Sequence, residues 1–207
     1  MLRKIAMLDP NFTHIKFNNF AEHYIQQIRE ISDDYLPEGF LGVDTEEVDE
    51  ELVLMIQKDK IGKYSINIEG IHFGVNVYIS PPAKKMFDVH IDRDRKIGFN
   101  FPIQVDPEKG YLLVMKDDNY DALGEYISET SNIKWGDKFL SKDLPGHKKW
   151  INAKESDFRK IKFDKPILLN TQRPHSYVNY SNQFRIIASL NTNKEPDEVY
   201  QALSQFV

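Results

Sequence analysis

The chain has 207 residues, 41% of them hydrophobic and 12% aromatic, enough apolar material for one globular core. It has no cysteine, which excludes a disulfide framework and a zinc–thiolate site and leaves any metal chemistry to His, Asp and Glu. A net charge of −5 disfavours nucleic acid as the main partner, although Lys84-Lys85, Arg93–Lys96 and His147–Lys149 form local basic clusters. No apolar run approaches the roughly 20 residues that cross a bilayer, and the start MLRKIAMLDP lacks the apolar core of a secretory signal, so the expectation is a soluble, cytoplasmic protein with no membrane partner.

Residues 1–60 predict a helical support. A short strand, Thr13 to Phe17, precedes a helix capped by Asn18 or Asn19, with Phe20, Tyr24, Ile28 and Ile31 at helical spacing. After Pro37-Glu-Gly39, a second helix is predicted from about Asp44 to Lys58, with Val48, Leu52 and Met55 or Ile56 as its apolar stripe. From Lys63 the period becomes that of strands. Tyr64, Ile66 and Ile68 alternate with polar neighbours, and Ile71 to Ile79 continues the pattern until Pro81-Pro82. Strands then follow at Phe87 to Ile91, Ile97 to Ile103 and Tyr111 to Met115.

Residues 117–157 interrupt this rhythm as a polar stretch with little apolar periodicity, read as a loop. A loop that long is either a surface insertion or a lid over a site. Strands resume at Phe158 to Phe163, Ile167 to Asn170, His175 to Tyr180 and Phe184 to Leu190, the last two read as a hairpin. A closing helix over 195–207, with Pro196 in its first turn, ends the chain. Short strands divided by Gly and Pro, with little helix between, predict a mainly β sandwich or barrel with flanking helices, built on 64–191 as a single domain.

The candidate chemistry lies at His90, Asp92, His175 and Arg185. Of six histidines, only His90 has a carboxylate two residues on, and only His175 has an arginine ten residues on. With 32 acidic residues in the chain, one His-x-Asp carries little weight by itself. Its setting adds weight, because residues two apart on a strand share a face and can point at one ion. Two histidines and one carboxylate can hold a non-haem Fe(II) and leave its opposite face open. Arg185 stands in Phe184-Arg-Ile-Ile-Ala-Ser-Leu190, a segment apolar enough to be covered on both faces. A guanidinium cannot shed its charge there, so an anion must meet it: either a structural Asp or Glu or the carboxylate of a ligand. Asp88 and Asp94, in the alternating stretch DVHIDRDR, read as a solvated self-paired loop, and His72 as a core histidine.

The stretches FDVHIDRDRKIGFNFPI (Phe87 to Ile103) and PILLNTQRPHSYVNYSNQFRIIASL (Pro166 to Leu190) resemble the Fe(II)/2-oxoglutarate-dependent oxygenases, nearest the aspartyl/asparaginyl β-hydroxylases and related bacterial and phage hydroxylases. The pattern His-x-x-x-Asn followed by Arg is met by His175, Asn179 and Arg185. The resemblance implies a double-stranded β-helix, a cupin-like jelly roll, with Fe(II) on His90, Asp92 and His175. It also implies 2-oxoglutarate as cosubstrate with its far carboxylate on Arg185, and dioxygen as oxidant. The products would be succinate, CO2 and a hydroxylated amino acid, free or within a polypeptide. Two departures stand out. Some members of that branch lack the carboxylate ligand, whereas Asp92 is present; and a serine that another branch places two residues after the arginine is Ile187 here. The second contact to the cosubstrate carboxylate then falls to Asn100 or Tyr78. Trp135, Trp150 and Arg173 are the candidates for touching substrate. The competing readings are a cupin-type metalloenzyme that uses no 2-oxoglutarate, and a non-catalytic binding jelly roll.

Overall fold

A computed structural model describes residues 8–9, 12–36, 64–82, 86–87, 89–92, 95–116, 150 and 152–207, with the backbone alone of 125–127, 130–135, 138–143 and 147–149. The expected helix over 44–58, the Pro37–Gly39 turn, Asp88, Asp94 and most of the basic clusters lie outside the described residues.

Chain order runs β1 (His14–Lys16), α1 (Glu22–Tyr35), β2 (Tyr64–Ile68), β3 (Ile71–Ser80), β4 (Ile97–Gln104) and β5 (Gly110–Met115), then β6 (Glu125–Ile127), β7 (Thr130–Trp135), β8 (Lys138–Asp143) and β9 (His147–Lys149). It closes with β10 (Phe158–Lys162), β11 (Ile167–Asn170), β12 (His175–Asn179), β13 (Arg185–Asn191) and α2 (Pro196–Leu203). All the strand pairings are antiparallel. The larger sheet has the order β1-β11-β4-β13-β3-β2 and the smaller β10-β5-β12. Beside β12 the segment 87–92 adds a further edge: Phe87 N–H bonds Tyr177 C=O, Asp92 N–H bonds Thr171 C=O, and His90 and His175 exchange both backbone bonds.

Side-chain parity sorts the two faces of the larger sheet. On the outer face Phe73, Val75, Phe99, Phe101, Leu168, Ala188 and Leu190 pack under α1 and α2 with Phe17, Phe20, Ile28, Val199 and Leu203. The inner face turns toward the smaller sheet, where Leu112, Val114, Ile161 and Phe163 meet Ile167, Leu169 and Ile187. Apolar residues thus close one end of the interlayer, and polar side chains occupy the rest. A third cluster, Val89, Leu113, Met115, Trp150, Phe158 and Val178, covers the back of the smaller sheet.

Several expectations are corrected. The N-cap of α1 is Ala21, not an asparagine; Asn18 accepts from Lys165 Nζ, between β10 and β11, at 3.0 Å, and Asn19 Nδ2 donates to the Val207 carbonyl at 3.4 Å, so both amides bind distant parts of the chain instead of the helix. β12 and β13 are not hairpin partners: one belongs to each sheet, and Ser181–Gln183 carries the chain across the sandwich. The stretch read as a loop contains four strands, β6 paired with β9 and β7 with β8, with Trp135 opposite Lys138. His72 faces solvent on β3 and is not a core histidine. No helix among the described residues is long and apolar enough to cross a membrane.

Candidate functional site

His175 opens β12, the central position between β5 and the 87–92 edge, and its backbone N–H and C=O bond those of His90 at 2.9 and 3.1 Å. Opposed residues on antiparallel strands share a face, so the imidazoles adjoin, with ring centroids 4.5 Å apart. His175 Nδ1 lies 2.9 Å from the Arg173 carbonyl. A carbonyl can only accept, so Nδ1 carries the proton and Nε2 keeps its lone pair, the tautomer that a metal requires. Burial, reinforced by the neighbouring His90, pushes the His175 pKa down to about 4, so the ring is neutral at physiological pH.

Asp92 Oδ1 sits 3.7 Å from His90 Nε2 and 3.9 Å from His175 Nε2. Its other oxygen is clamped by Arg95, whose Nη1 also donates to Ser189 Oγ at 2.7 Å and Asn191 Oδ1 at 2.8 Å. Gly98 packs beneath this cluster: a Cβ there would crowd Thr171 Cγ2 at 3.1 Å, with Asn100 Nδ2 at 3.4 Å and the Arg95 guanidinium carbon at an ordinary 3.6 Å. One ligand atom from each of His90, Asp92 and His175 lies within 4.8 Å of the others. Cis ligands around a first-row ion with bonds of about 2.1 Å stand about 3 Å apart, so the Asp92–His distances would contract by under about 1 Å, and the two imidazoles by up to about 2 Å, to complete the set. Two imidazoles and a carboxylate, with His175 held through Arg173 C=O and Asp92 through Arg95, are a donor set that fits a divalent cation.

Arg185 begins β13 on the same inner face, 3% exposed, and lines with the three ligands one cavity of about 380 Å³. Its guanidinium lies over the Tyr177 ring at 4.6 Å and the Phe163 ring at 5.4 Å; Tyr177 is itself backed by Phe87, stacked at 4.1 Å. Its Nε and Nη2 have no hydrogen-bond partner. Burial lowers its pKa to about 10, which leaves it cationic at neutral pH. Among the described residues no carboxylate forms the structural salt bridge that would have explained Arg185. A buried cation with two unpartnered guanidinium nitrogens, Nε and Nη2, is a built anion site.

No protein-family model matches the chain, and no curated protein is significantly similar to it. Among solved structures, the crystal structure of EvdO2 from Micromonospora carbonacea var. aurantiaca is similar over 91% of this chain and 73% of its own, with 11% identity and a TM-score of 0.33, too distant a likeness to carry an argument.

Asn100 and Tyr78 both line the cavity, and Asn100 Oδ1 is buried without a partner. Ile187 presents its side chain between Arg185 and Ser189, so no hydroxyl stands two residues after the arginine. Asn179 is a joint rather than a wall: its Nδ2 donates to Gln183 C=O at 2.9 Å and across the sandwich to Ser80 C=O at 3.3 Å, while its Oδ1 accepts from Ser181 Oγ at 2.6 Å. It fixes the crossover that delivers Arg185. Arg173 is buried away from the cavity and serves His175 through its carbonyl. Trp150 is corrected from a substrate contact to a core residue, 3% exposed behind the smaller sheet. The Trp135 side chain lies outside the described residues. Sequence reasoning missed Arg95, which hid in the alternating charges of DVHIDRDR, and Tyr177, which the parity of β12 places on the face of His175.

Proposed function

We propose that this chain is an Fe(II)- and 2-oxoglutarate-dependent oxygenase, hydroxylating an amino acid or a residue in a polypeptide, on a double-stranded β-helix. The fold reading is supported by the winding. From β3 the chain visits the smaller sheet at 87–92, the larger at β4, the smaller at β5 and β10, then alternates through β11, β12 and β13. The resulting orders, β11-β4-β13-β3 facing β10-β5-β12 with 87–92 at its edge, support the jelly-roll reading.

The observation that carries the functional reading is Arg185, unpaired and buried in the cavity that also holds His90, Asp92 and His175. Those three residues would hold the iron. When bound, the iron and cosubstrate together supply the oxidation of a C–H bond by dioxygen, with release of succinate and CO2. The chain's own part is binding, orientation and exclusion of water. Arg185 would grip the distal carboxylate with its two free N–H groups, its plane held by Tyr177 and Phe163. Leu112, Leu169 and Ile187 form an apolar wall that strengthens this charge contact. Asn100 and Tyr78, which line the same cavity, would give the second contact to the carboxylate.

The test is anaerobic loading with Fe(II) and 2-oxoglutarate followed by oxygen, with succinate as the readout. Slow uncoupled succinate formation is expected without substrate. Arg185→Gln should raise the KM for 2-oxoglutarate by about 10- to 100-fold, the worth of a charged bidentate contact, and Arg185→Lys should recover little because an ammonium lacks the fork. Absence of succinate from the loaded protein would favour the cupin-type metalloenzyme, which leaves the free N–H groups of Arg185 to another anion. A binding module without turnover has less support, since the three ligand side chains converge.

A further inference from the structure

The turn between β11 and β12, Thr171-Gln-Arg-Pro174, holds the candidate metal site from behind. Thr171 C=O accepts the Asp92 N–H at 3.0 Å, and Thr171 Oγ1 donates to the Arg95 C=O at 2.8 Å. The Arg173 carbonyl fixes His175 Nδ1. Between them, Gln172 Nε2 reaches two carbonyls at once, Asp92 C=O at 2.9 Å and Arg95 C=O at 2.8 Å. A carbonyl only accepts, so the amide must present its NH2 end there, with one hydrogen for each oxygen.

Asp92 and Arg95 are the two ends of a short loop, and their side chains are bonded to each other. Gln172 clasps the same two residues by their backbone. Holding both carbonyls on one nitrogen fixes the spacing of the loop ends, hence the reach of Arg95 Nε to Asp92 Oδ2, hence the direction in which Asp92 Oδ1 points. Gln172 is itself anchored, since its N–H donates to Asn170 Oδ1 at 3.0 Å. It is exposed and stands outside the cavity that holds the three ligands, lining a separate cleft of about 310 Å³ with Lys96, Asn170 and Glu195. Whatever it does for the site, it does through the loop.

Resting on the reading of Asp92 as a metal ligand, we propose that Gln172 is a positioning residue: by clasping the carbonyls of Asp92 and Arg95 it aims the Asp92 carboxylate at the metal. Two neutral, solvent-facing bonds contribute less than a charged partner such as Arg95, whose removal costs about 10- to 100-fold in metal affinity, so the share of Gln172 is about three- to tenfold. That share depends on Arg95. Without the guanidinium, the clasp holds a loop that no longer aims Asp92.

The experiment titrates the full chain with Mn(II), followed by electron paramagnetic resonance, in a cycle of the native protein, Gln172→Met, Arg95→Ala and the double variant. Methionine matches glutamine in length and carries no donor; Gln172→Leu, equally donor-free, guards against a misfit of the methionine. Both Gln172 variants should raise the Mn(II) Kd about three- to tenfold and change the zero-field splitting of the bound ion, while the urea midpoint of the metal-free protein holds. In the Arg95→Ala background, which keeps the Arg95 carbonyl, Gln172→Met should cost less than about twofold. Mn(II) binding within about twofold of native in both Gln172 variants, or a full additive loss on top of Arg95→Ala, overturns the positioning role and leaves the metal site standing. A loss of affinity matched by a loss of metal-free stability overturns it too, because Gln172 would then support the fold and not the aim of Asp92. Failure of the native chain to bind Mn(II) overturns the metal reading and the proposal with it.

Discussion

Two ligands of the candidate metal site depend on a particular bond behind them: Asp92 on Arg95 and His175 on the Arg173 carbonyl. Asp92 offers Oδ1 to the histidines because Arg95 occupies Oδ2, and Arg95 is held in turn by Ser189 and Asn191 on β13. Removing an orienting partner of this kind costs about 10- to 100-fold in metal affinity. Arg95→Ala should therefore weaken Mn(II) binding by that factor, and Asp92→Ala by more, both measured by titration followed by electron paramagnetic resonance. His175 adds a pH dependence whose sign follows from its pKa of about 4 against the ordinary 6.5. Between those values the unfolded chain takes up a proton that the folded chain refuses, so the metal-free protein loses stability as pH falls from 6.5 toward 4. His175→Gln removes that proton, and its urea midpoint should fall less steeply across the same window.

The strands with clear alternation were readable from sequence, because burial on one face imposes period two: β2 and β3 show it residue by residue. The partners of β12 were not. Ser181–Gln183 reads as a tight turn whether the chain folds back into the same sheet or crosses to the other, and the choice is made by packing of the two layers. The insertion failed for a different reason. β6 to β9 lack an apolar alternation, so neither face announces itself, and their pairing is carried by backbone bonds that leave no mark in residue type. Trp150, late in that insertion, belongs to the core, buried in the cluster that includes Val89, one residue before His90. Trp150→Ala should destabilise the protein by about 3–5 kcal/mol, the cost of emptying a large aromatic site. It should also lower metal affinity by loosening the segment that carries His90. Unfolding in denaturant and a Mn(II) titration on the same variant check both halves, and a Mn(II) affinity that holds while stability drops would separate the cluster from the site.

At the scale of the whole molecule, the site spans both layers of the sandwich. His90, Asp92 and His175 belong to the smaller sheet and its edge, whereas Arg185 stands on the larger sheet. Among the described side chains of the cavity, direct polar ties between layers are few: Arg95 reaches Ser189 and Asn191 from the segment that carries Asp92, and Asn179 reaches Ser80. A metal alone would tighten one layer. A dicarboxylate held on that metal and on Arg185 would bridge the two, so it should stabilise the fold more than the metal does and only when the metal is present. A ligand at about 100 times its dissociation constant stabilises by about 2.7 kcal/mol, which for a chain of this size raises Tm by about 5–10 °C. Thermal unfolding with Mn(II), with 2-oxoglutarate and with both should give a clear shift for Mn(II), little for 2-oxoglutarate alone, and for the pair more than the sum. Arg185→Gln should keep the Mn(II) shift and lose the extra one. An additive response in the native protein, or an extra shift that survives Arg185→Gln, would mean that the cosubstrate carboxylate is held somewhere other than the larger sheet.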